Sequence, residues 1–274
     1  MQRVFLLGHP TGHSVSPAMQ NAGFRSIGLD WNYELLDVTP VELFSAAARL
    51  RSDDCAGANV TIPHKQAIVE WLDGVTDRAR SIDAVNTIIK QDGKLIGDNT
   101  DGYGFLTSLR DAHVDPSGKR IVLLGAGGAA RAVAVSFAQA GAERITILNR
   151  STPRLRALAD FLRANFPAAA IGENDEHALS DAQLIVNATP VGMSPHAAGS
   201  PMGSAFPAGV VVIDLVYRPL ETRFLREAAQ AGAQTVSGLG MLVHQGAEAF
   251  KLWTGRDAPV DLMLKAARSA LNGA

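Results

Sequence analysis

The stretch Arg120-Ile121-Val122-Leu123-Leu124-Gly125-Ala126-Gly127-Gly128-Ala129-Ala130 decides the fold. Residues 120–124 read as a strand covered on both faces, the habit of parallel sheets. Gly125 to Ala130 then fits G-x-G-x-x-A and opens a helix. Gly125 suits the tight turn, Gly127 lets the backbone approach a pyrophosphate, and Ala130 lets the helix pack closely on the strand. Unpaired N–H groups and the positive dipole end at a helix start favour phosphate. The placement predicts dinucleotide binding. Another nucleotide, or a plain tight turn, is the alternative.

Outward from this turn, strand and helix alternate. Helices are predicted over 128–141, 153–165 and 221–231, and strands over 144–149, 183–187, 210–214 and 234–236. Such alternation predicts a doubly wound α/β sheet. Towards the N-terminus, strands are predicted over 3–8, 31–38 and 57–62, and helices over 17–28 and 63–72. Thr39-Pro40-Val41-Glu42 opens a further helix with a capping-box pattern. Residues 86–90 and 94–98 form a predicted hairpin around Asp92-Gly93. Helices over 103–112, 240–253 and 260–272 complete the reading.

At 274 residues, with 47% hydrophobic and 19% charged, the chain has length for two domains and is too apolar for disorder. Its 25 basic and 27 acidic residues give a net charge of −2. That leaves no electrostatic footprint for nucleic acid or a membrane surface. The single Cys55 forms no intramolecular disulfide, and no cysteine cluster suggests zinc. His9 and His13 are spaced i, i+4, but Pro10 and Gly12 between them argue against a helical metal pair. No run reaches the ~20 apolar residues of a spanning helix. The five-residue run Val4 to Gly8 is too short for a signal-peptide core. A cytoplasmic protein with small-molecule ligands is expected, as monomer or homodimer, without nucleic-acid or membrane partners and without a metal.

The strand after the glycine turn selects the cofactor. It ends at Asn149-Arg150-Ser151, followed by Arg154. An NAD site usually has Asp or Glu there, on the ribose 2′-OH. Two arginines instead suit a 2′-phosphate, at a helix start where cations are otherwise disfavoured. NADP(H) is therefore expected, and the missing acid also argues against S-adenosylmethionine.

Polar residues gather at predicted strand ends in the first hundred residues. Ser14 and Ser16 precede a helix and suit a carboxylate, although one of them capping that helix is an equal reading. Asn59-Val60-Thr61-Ile62-Pro63-His64-Lys65 puts a lysine in the first turn of a predicted helix, against the dipole. A plain surface lysine is the alternative. Ala84-Val85-Asn86-Thr87 and Asn99-Thr100-Asp101-Gly102 hold residues that are usually turn formers.

Taken in order, these motifs resemble the shikimate dehydrogenase family. So do Asn187-Ala188-Thr189-x-x-Gly192-Met193, Asp214-x-x-Tyr217-x-Pro219-x-x-Thr222 and Gly238-Leu239-Gly240-Met241-Leu242-Val243-x-Gln245. The resemblance spans residues 8 to about 255. Departures are small: Thr11, Ser151 and Ser237 replace residues more usual in the family.

The resemblance implies NADPH-dependent reduction of the 3-keto group of 3-dehydroshikimate to shikimate, with Lys65 and Asp101 as the catalytic pair. Which of the two passes the proton stays open. It implies that Ser14, Ser16 and Tyr217 hold the carboxylate. Asn86, Gln245, Lys65 and Asp101 would hold ring hydroxyls, with Asn59 and Thr61 also at the substrate. The implied cofactor residues begin with the glycine turn: Gly125, Ala126, Gly127, Gly128 and Ala129. Asn149, Arg150, Ser151, Arg154 and Thr189 follow, then Leu215, Gly238 and Met241. Met241 reads equally well as helix core, and Asp77 matches a position sometimes placed near NADP. The implied architecture is two α/β domains with the reaction in a cleft between them. One is a substrate domain over 1–101 joined by C-terminal helices over 239–274. The other is a Rossmann-type domain over 102–238. The rival readings are a quinate or dual quinate/shikimate dehydrogenase, and a non-catalytic NADP- or shikimate-binding regulator. Retention of Lys65 and Asp101 speaks against the latter.

Overall fold

Strand β1 (Gln2–Gly8) is an interior strand of the first sheet, and its residues from Val4 onward are all buried. The computed structural model describes residues 1–203 and 205–273. After β1 come α1 (Ser16–Ser26), β2 (Trp31–Asp37), α2 (Leu43–Arg49) and β3 (Cys55–Val60). Then follow β4 (Gly74–Val75), α3 (Asp77–Ile82), β5 (Thr87–Gln91), β6 (Lys94–Asp98) and α4 (Asp101–Asp111). The sheet order is β2-β1-β3-β5-β6-β4. β1 pairs parallel with β2 and β3, whereas β3–β5 and β5–β6 are antiparallel. Side chains alternate along β1. Phe5 and Leu7 face a core with Leu43, Leu50 and Ile88, while Val4 and Leu6 face one with Phe24, Tyr33 and Phe250.

The second sheet is built from β7 (Arg120–Leu124), β8 (Arg144–Leu148), β9 (Ala170–Glu173), β10 (Leu184–Asn187), β11 (Val211–Asp214) and β12 (Gln234–Ser237). Its helices are α5 (Gly128–Gln139), α6 (Thr152–Asn165) and α7 (Arg223–Gln230). Every pairing is parallel and the order is β12-β11-β10-β7-β8-β9. Numbered within this sheet, that is the doubly wound order of dinucleotide-binding folds.

Two long helices close the chain, α8 (Gly238–Thr254) and α9 (Val260–Asn272). The chain divides into two compact units, the first Met1–Gly104 with Val243–Ala274, the second Phe105–Leu242. The divisions fall inside α4 and α8. Within the first unit α9 packs on α1, and the Phe250 ring stacks on Phe24 at 5.2 Å.

The structure departs from the sequence reading in several places. No α-helix forms over 63–72; a turn and a short 3-10 helix, Ala67–Trp71, stand there. The Lys65 carbonyl accepts from Val85 N–H at 2.7 Å, so it does not accept an intrahelical bond. The Thr39–Glu42 capping box opens a 3-10 turn, Pro40–Glu42, which then leads into α2. β4, β9 and α3 are additions. β9 is a four-residue strand at the sheet edge whose only large apolar residue is Ile171. The β5–β6 hairpin forms as read, with positive φ at both Asp92 and Gly93.

Candidate active site

In the first unit the ends of β1, β3 and β6 share one sheet edge. β5 runs the other way, so its start joins them. Lys65 lies on the turn after β3, and Asp101 is the first residue of α4. Lys65 Nζ donates to Asp101 Oδ2 at 2.5 Å, with the side chains 13% and 5% exposed. Asp101 Oδ1 accepts from Asn86 Nδ2 at 2.8 Å. Both carboxylate oxygens are therefore acceptors for a fixed donor, which leaves the carboxylate one orientation.

Asn86 is the hub of this edge. Its Oδ1 accepts from Thr100 N–H at 2.7 Å and from the Thr87 hydroxyl at 2.9 Å. Its Nδ2 faces Asp101 Oδ1, Thr100 Oγ1 and, at 3.2 Å, Gln245 Oε1 of α8. Behind it, Asn59 Nδ2 donates to the Asn86 carbonyl and to Thr87 Oγ1, both at 3.1 Å. Asn59 Oδ1 accepts from the Tyr33 hydroxyl at 2.8 Å.

The Asn99–Asp101 segment is clamped from the other side. Asp98 accepts from Arg78 Nε and Nη2, from Thr76 Oγ1 and from Asn99 N–H, at 2.6–2.9 Å. Arg78 Nη1 continues to Glu248 of α8 at 2.9 Å. Burial pushes the Asp98 carboxyl up, but Arg78 and Thr76 outweigh it and hold the group below its ordinary range. Desolvation opposes the charge on Arg78, yet its two carboxylate partners hold it above the usual guanidinium range.

The serine loop leaves β1 at Gly8. The Asp37 carboxylate pins it, accepting from His9 Nδ1 at 2.5 Å and from Thr11 N–H at 3.2 Å. These bonds hold Asp37 below its ordinary range. The residue at the N-cap of α1 is Val15, and no side chain caps the helix. Ser14 Oγ instead accepts from Ser16 N–H at 3.2 Å. Ser16 is a buried residue, and it is its N–H that makes this bond. Ser14 thus satisfies the first free N–H of α1 from one position before the N-cap, and the Ser16 side chain takes no part in capping.

In the second unit, Gly125 has φ +117°, and a Cβ there would lie 3.0 Å from the Ala188 carbonyl oxygen. The β7 turn thus passes close to the end of β10, at the point where the strand order reverses. Gly128 opens α5 with Gly127 as its N-cap. At the end of β8, Asn149 N–H donates to Asn174 Oδ1, and Asn149 Nδ2 to the Ser151 carbonyl, both at 2.9 Å. Arg150 and Arg154 are exposed beside the start of α6, whose N-cap Ser151 makes no side-chain cap. Among the described residues neither arginine has an acidic partner. Two unpaired cations at a helix start are a donor set that fits a phosphate monoester.

A buried network shapes the rest of this edge. Asn187 Oδ1 accepts from Thr189 N–H and Oγ1, and Asn187 Nδ2 donates to Asp214 Oδ1. Asp214 also accepts from Val216 N–H and the Thr222 hydroxyl. Burial pushes Asp214 up to about 6, against these three donors. A Cβ on Gly238 would stand 2.2 Å from the Leu215 carbonyl oxygen, so only glycine lets α8 start so close to the end of β11.

Family models match three segments of the chain. Residues 6–88 match the shikimate dehydrogenase substrate binding domain, 109–196 shikimate / quinate 5-dehydrogenase, and 238–268 the shikimate 5'-dehydrogenase C-terminal domain. The shikimate dehydrogenase (NADP(+)) of Symbiobacterium thermophilum is 51% identical over 98% of this chain and 94% of its own. The chain belongs to the shikimate dehydrogenase family. Among solved structures, a family member in complex with NADP+ superposes with TM-score 0.93 at 39% identity, covering 99% of this chain and 96% of its own. The Thermus thermophilus enzyme in complex with NADP(H) and shikimate gives 0.90 at 41% identity, covering 99% and 100%.

Of the residues singled out in the sequence, the first unit brings Lys65, Asp101, Asn86 and Gln245 into one bonded cluster. Thr61 follows β3, and its N–H donates to the Leu7 carbonyl at 2.8 Å. Asn59 lies one layer behind the cluster. Asp77 is fully exposed at the start of α3 and pairs with Arg80 at 2.5 Å. The second unit carries the other cofactor candidates and Tyr217, with Met241 buried in α8. Sequence reasoning missed Arg78, Tyr33 and His64. His64 is buried on the Lys65 turn, and its Nε2 donates to the Val38 carbonyl at 2.5 Å. A histidine next to the lysine in the Asn59–Lys65 motif is the available signal.

Proposed function

We propose that this chain is an NADP-dependent shikimate dehydrogenase that reduces 3-dehydroshikimate reversibly. The observation that carries the reading is the Lys65–Asp101 pair, held by Asn86 at an edge rich in amides and hydroxyls. Burying a polyhydroxylated ring carboxylate requires partners for its polar groups, and amides and hydroxyls supply them.

NADPH, when bound, supplies the hydride that reduces the C3 carbonyl carbon. Lys65 donates a proton to the oxygen as charge develops there, so C=O becomes CH–OH; in reverse Lys65 takes the hydroxyl proton. Asp101 holds the lysine in position and accepts from a ring hydroxyl. Asn86 and Gln245 meet the remaining hydroxyls, with Thr61 beside them. Ser14 and Ser16 receive the carboxylate, and the family resemblance adds Tyr217 as its third ligand. For the cofactor, Gly125, Ala126, Gly127, Gly128 and Ala129 receive the pyrophosphate. Asn149, Arg150, Ser151 and Arg154 receive the 2′-phosphate, while Thr189, Leu215, Gly238 and Met241 border the remainder. Asp77 stays in this set on the family resemblance.

Quinate turnover is the second reading, favoured by the shikimate / quinate description of the family model that matches residues 109–196. The paired arginines separate this chain from an NAD-using form of it. The test is incubation of the protein with shikimate and NADP+. Equimolar formation of 3-dehydroshikimate and NADPH is expected, and formation of neither refutes the proposal.

A further inference from the structure

We infer that Asn59, anchored by Tyr33, is a positioning residue that sets the Lys65–Asp101 pair through Thr87 and Asn86; this rests on the reading of that pair as catalytic. Asn59 occupies an unexpected place. It sits on β3 opposite Leu6 of β1, on the sheet face that carries Val4, Leu6 and Tyr33 and packs with Phe250 of α8. An amide in an apolar wall is costly unless its polar atoms are bonded, and an aliphatic residue would fill the wall without that cost. Here the amide is bonded throughout. Tyr33 is fixed first: its N–H donates to Asn21 Oδ1 at 2.7 Å, and Asn21 Nδ2 donates back to its carbonyl at 3.1 Å. Its ring packs against Trp253.

The donor sense then runs one way. The Tyr33 hydroxyl donates to Asn59 Oδ1, which turns Asn59 Nδ2 towards the Asn86 carbonyl and Thr87 Oγ1. Thr87 sends its own proton to Asn86 Oδ1 at 2.9 Å, the nearer acceptor, with Thr100 Oγ1 at 3.2 Å. Asn86 Oδ1 is thereby fixed as an acceptor, in agreement with Thr100 N–H, and Asn86 Nδ2 is left to Asp101 Oδ1. Asp101 Oδ2 remains for Lys65. The chain from Tyr33 to Lys65 is unbroken and lies within the first unit. Hydrogen-bond chains of this kind polarise and fix their members cooperatively. Asn59 acts on the reaction through Asn86, without touching substrate.

Three variants test this against wild type and Lys65→Ala: Tyr33→Phe, Thr87→Val and Thr87→Ser. The readouts are kcat, the KM for shikimate and thermal unfolding. Tyr33→Phe and Thr87→Val are expected to lower kcat about 10- to 100-fold, the scale of a small misplacement at a reacting group. The KM for shikimate should change much less than kcat, since no substrate ligand is removed and the carboxylate ligands lie outside the relay. Thr87→Ser, which restores the hydroxyl, should recover most of the rate. If Tyr33→Phe fails to fold, the Thr87 pair decides alone. An active wild type whose Thr87→Val variant keeps its kcat, or loses only thermal stability, overturns the inference while leaving the catalytic pair standing. A Thr87→Ser variant as slow as Thr87→Val also overturns it. A Lys65→Ala variant with wild-type kcat overturns the catalytic reading, and this inference with it.

Discussion

Lys65 Nζ and Asp101 Oδ2 stand 2.5 Å apart on a turn and a helix start that are 36 residues distant in the chain. The lysine reaches this position because its turn is held by Val85 and His64, and the carboxylate because Asn86 occupies its other oxygen. Lys65→Ala is expected to lower kcat by about 10²–10⁴-fold, the usual worth of positioned acid–base chemistry, with little change in KM. Asp101→Asn should lower it too. Residues acting as a unit are non-additive, so the double variant should be close to the worse single one. Steady-state kinetics on all three check this; losses that multiply would show two independent groups.

In the proposed function Arg150 and Arg154 set the cofactor preference. Each charge-assisted bond to a 2′-phosphate contributes about 1.5–3 kcal/mol. Arg150→Gln and Arg154→Gln are thus each expected to raise the KM for NADP+ by about 10- to 100-fold and to leave that for NAD+ nearly unchanged. Equal effects on both cofactors would separate these arginines from the phosphate.

Arg78 ties the loop that carries Asp101 to α8. Removing it leaves the Asp98 carboxylate, whose side chain is 4% exposed, with Thr76 and Asn99 as its remaining donors. Breaking a buried pair from one side costs about 3–5 kcal/mol, and Arg78→Leu should destabilise the first unit by that order in denaturant titrations. The Asp98 carboxyl is lowered in the folded state. Its contribution is present above the unfolded value of 3.8 and is lost as pH falls through the folded one. Arg78→Leu should therefore lose less stability on acidification than wild type.

Asp214 has the opposite sign. Its folded value is raised from 3.8 to about 6, so the folded state binds the proton more tightly than the unfolded one. Stability of the second unit should rise as pH falls from about 6 towards 4 and stay level above 6, a swing of about 3 kcal/mol. Asp214→Asn should abolish that swing, although it also disturbs the bonds from Thr222 and Val216. Unfolding measured between pH 4 and 8 checks it, and an unchanged pH dependence in the variant would contradict it.

The second unit is legible from residue order because its signals are local. An apolar strand, a glycine turn and a helix start follow one another within eleven residues, and the arginines sit on the next strand end. The first unit's site is assembled from bonds between residues far apart in the chain. Pro63 and the residues after it permit a helix around Lys65, but the bond from Val85 takes the lysine carbonyl. The family resemblance implies Asn59 at the substrate; its side-chain direction is set by strand register, which pairs it with Leu6 and Thr87. Arg78 carries no signal, since its partner Asp98 lies 20 residues on and reads as a turn former. The sequence leaves the serines between cap and ligand; in the fold Val15 takes the N-cap position and Ser14 Oγ accepts from the first N–H of α1.

The most direct measurement is kcat/KM for shikimate and for quinate, each with NADP+ and with NAD+, followed by nicotinamide absorbance. Shikimate with NADP+ is expected to exceed the other three combinations. Quinate exceeding shikimate would contradict the substrate assignment, NAD+ exceeding NADP+ would contradict the role of Arg150 and Arg154, and no turnover in any combination would contradict the enzyme itself.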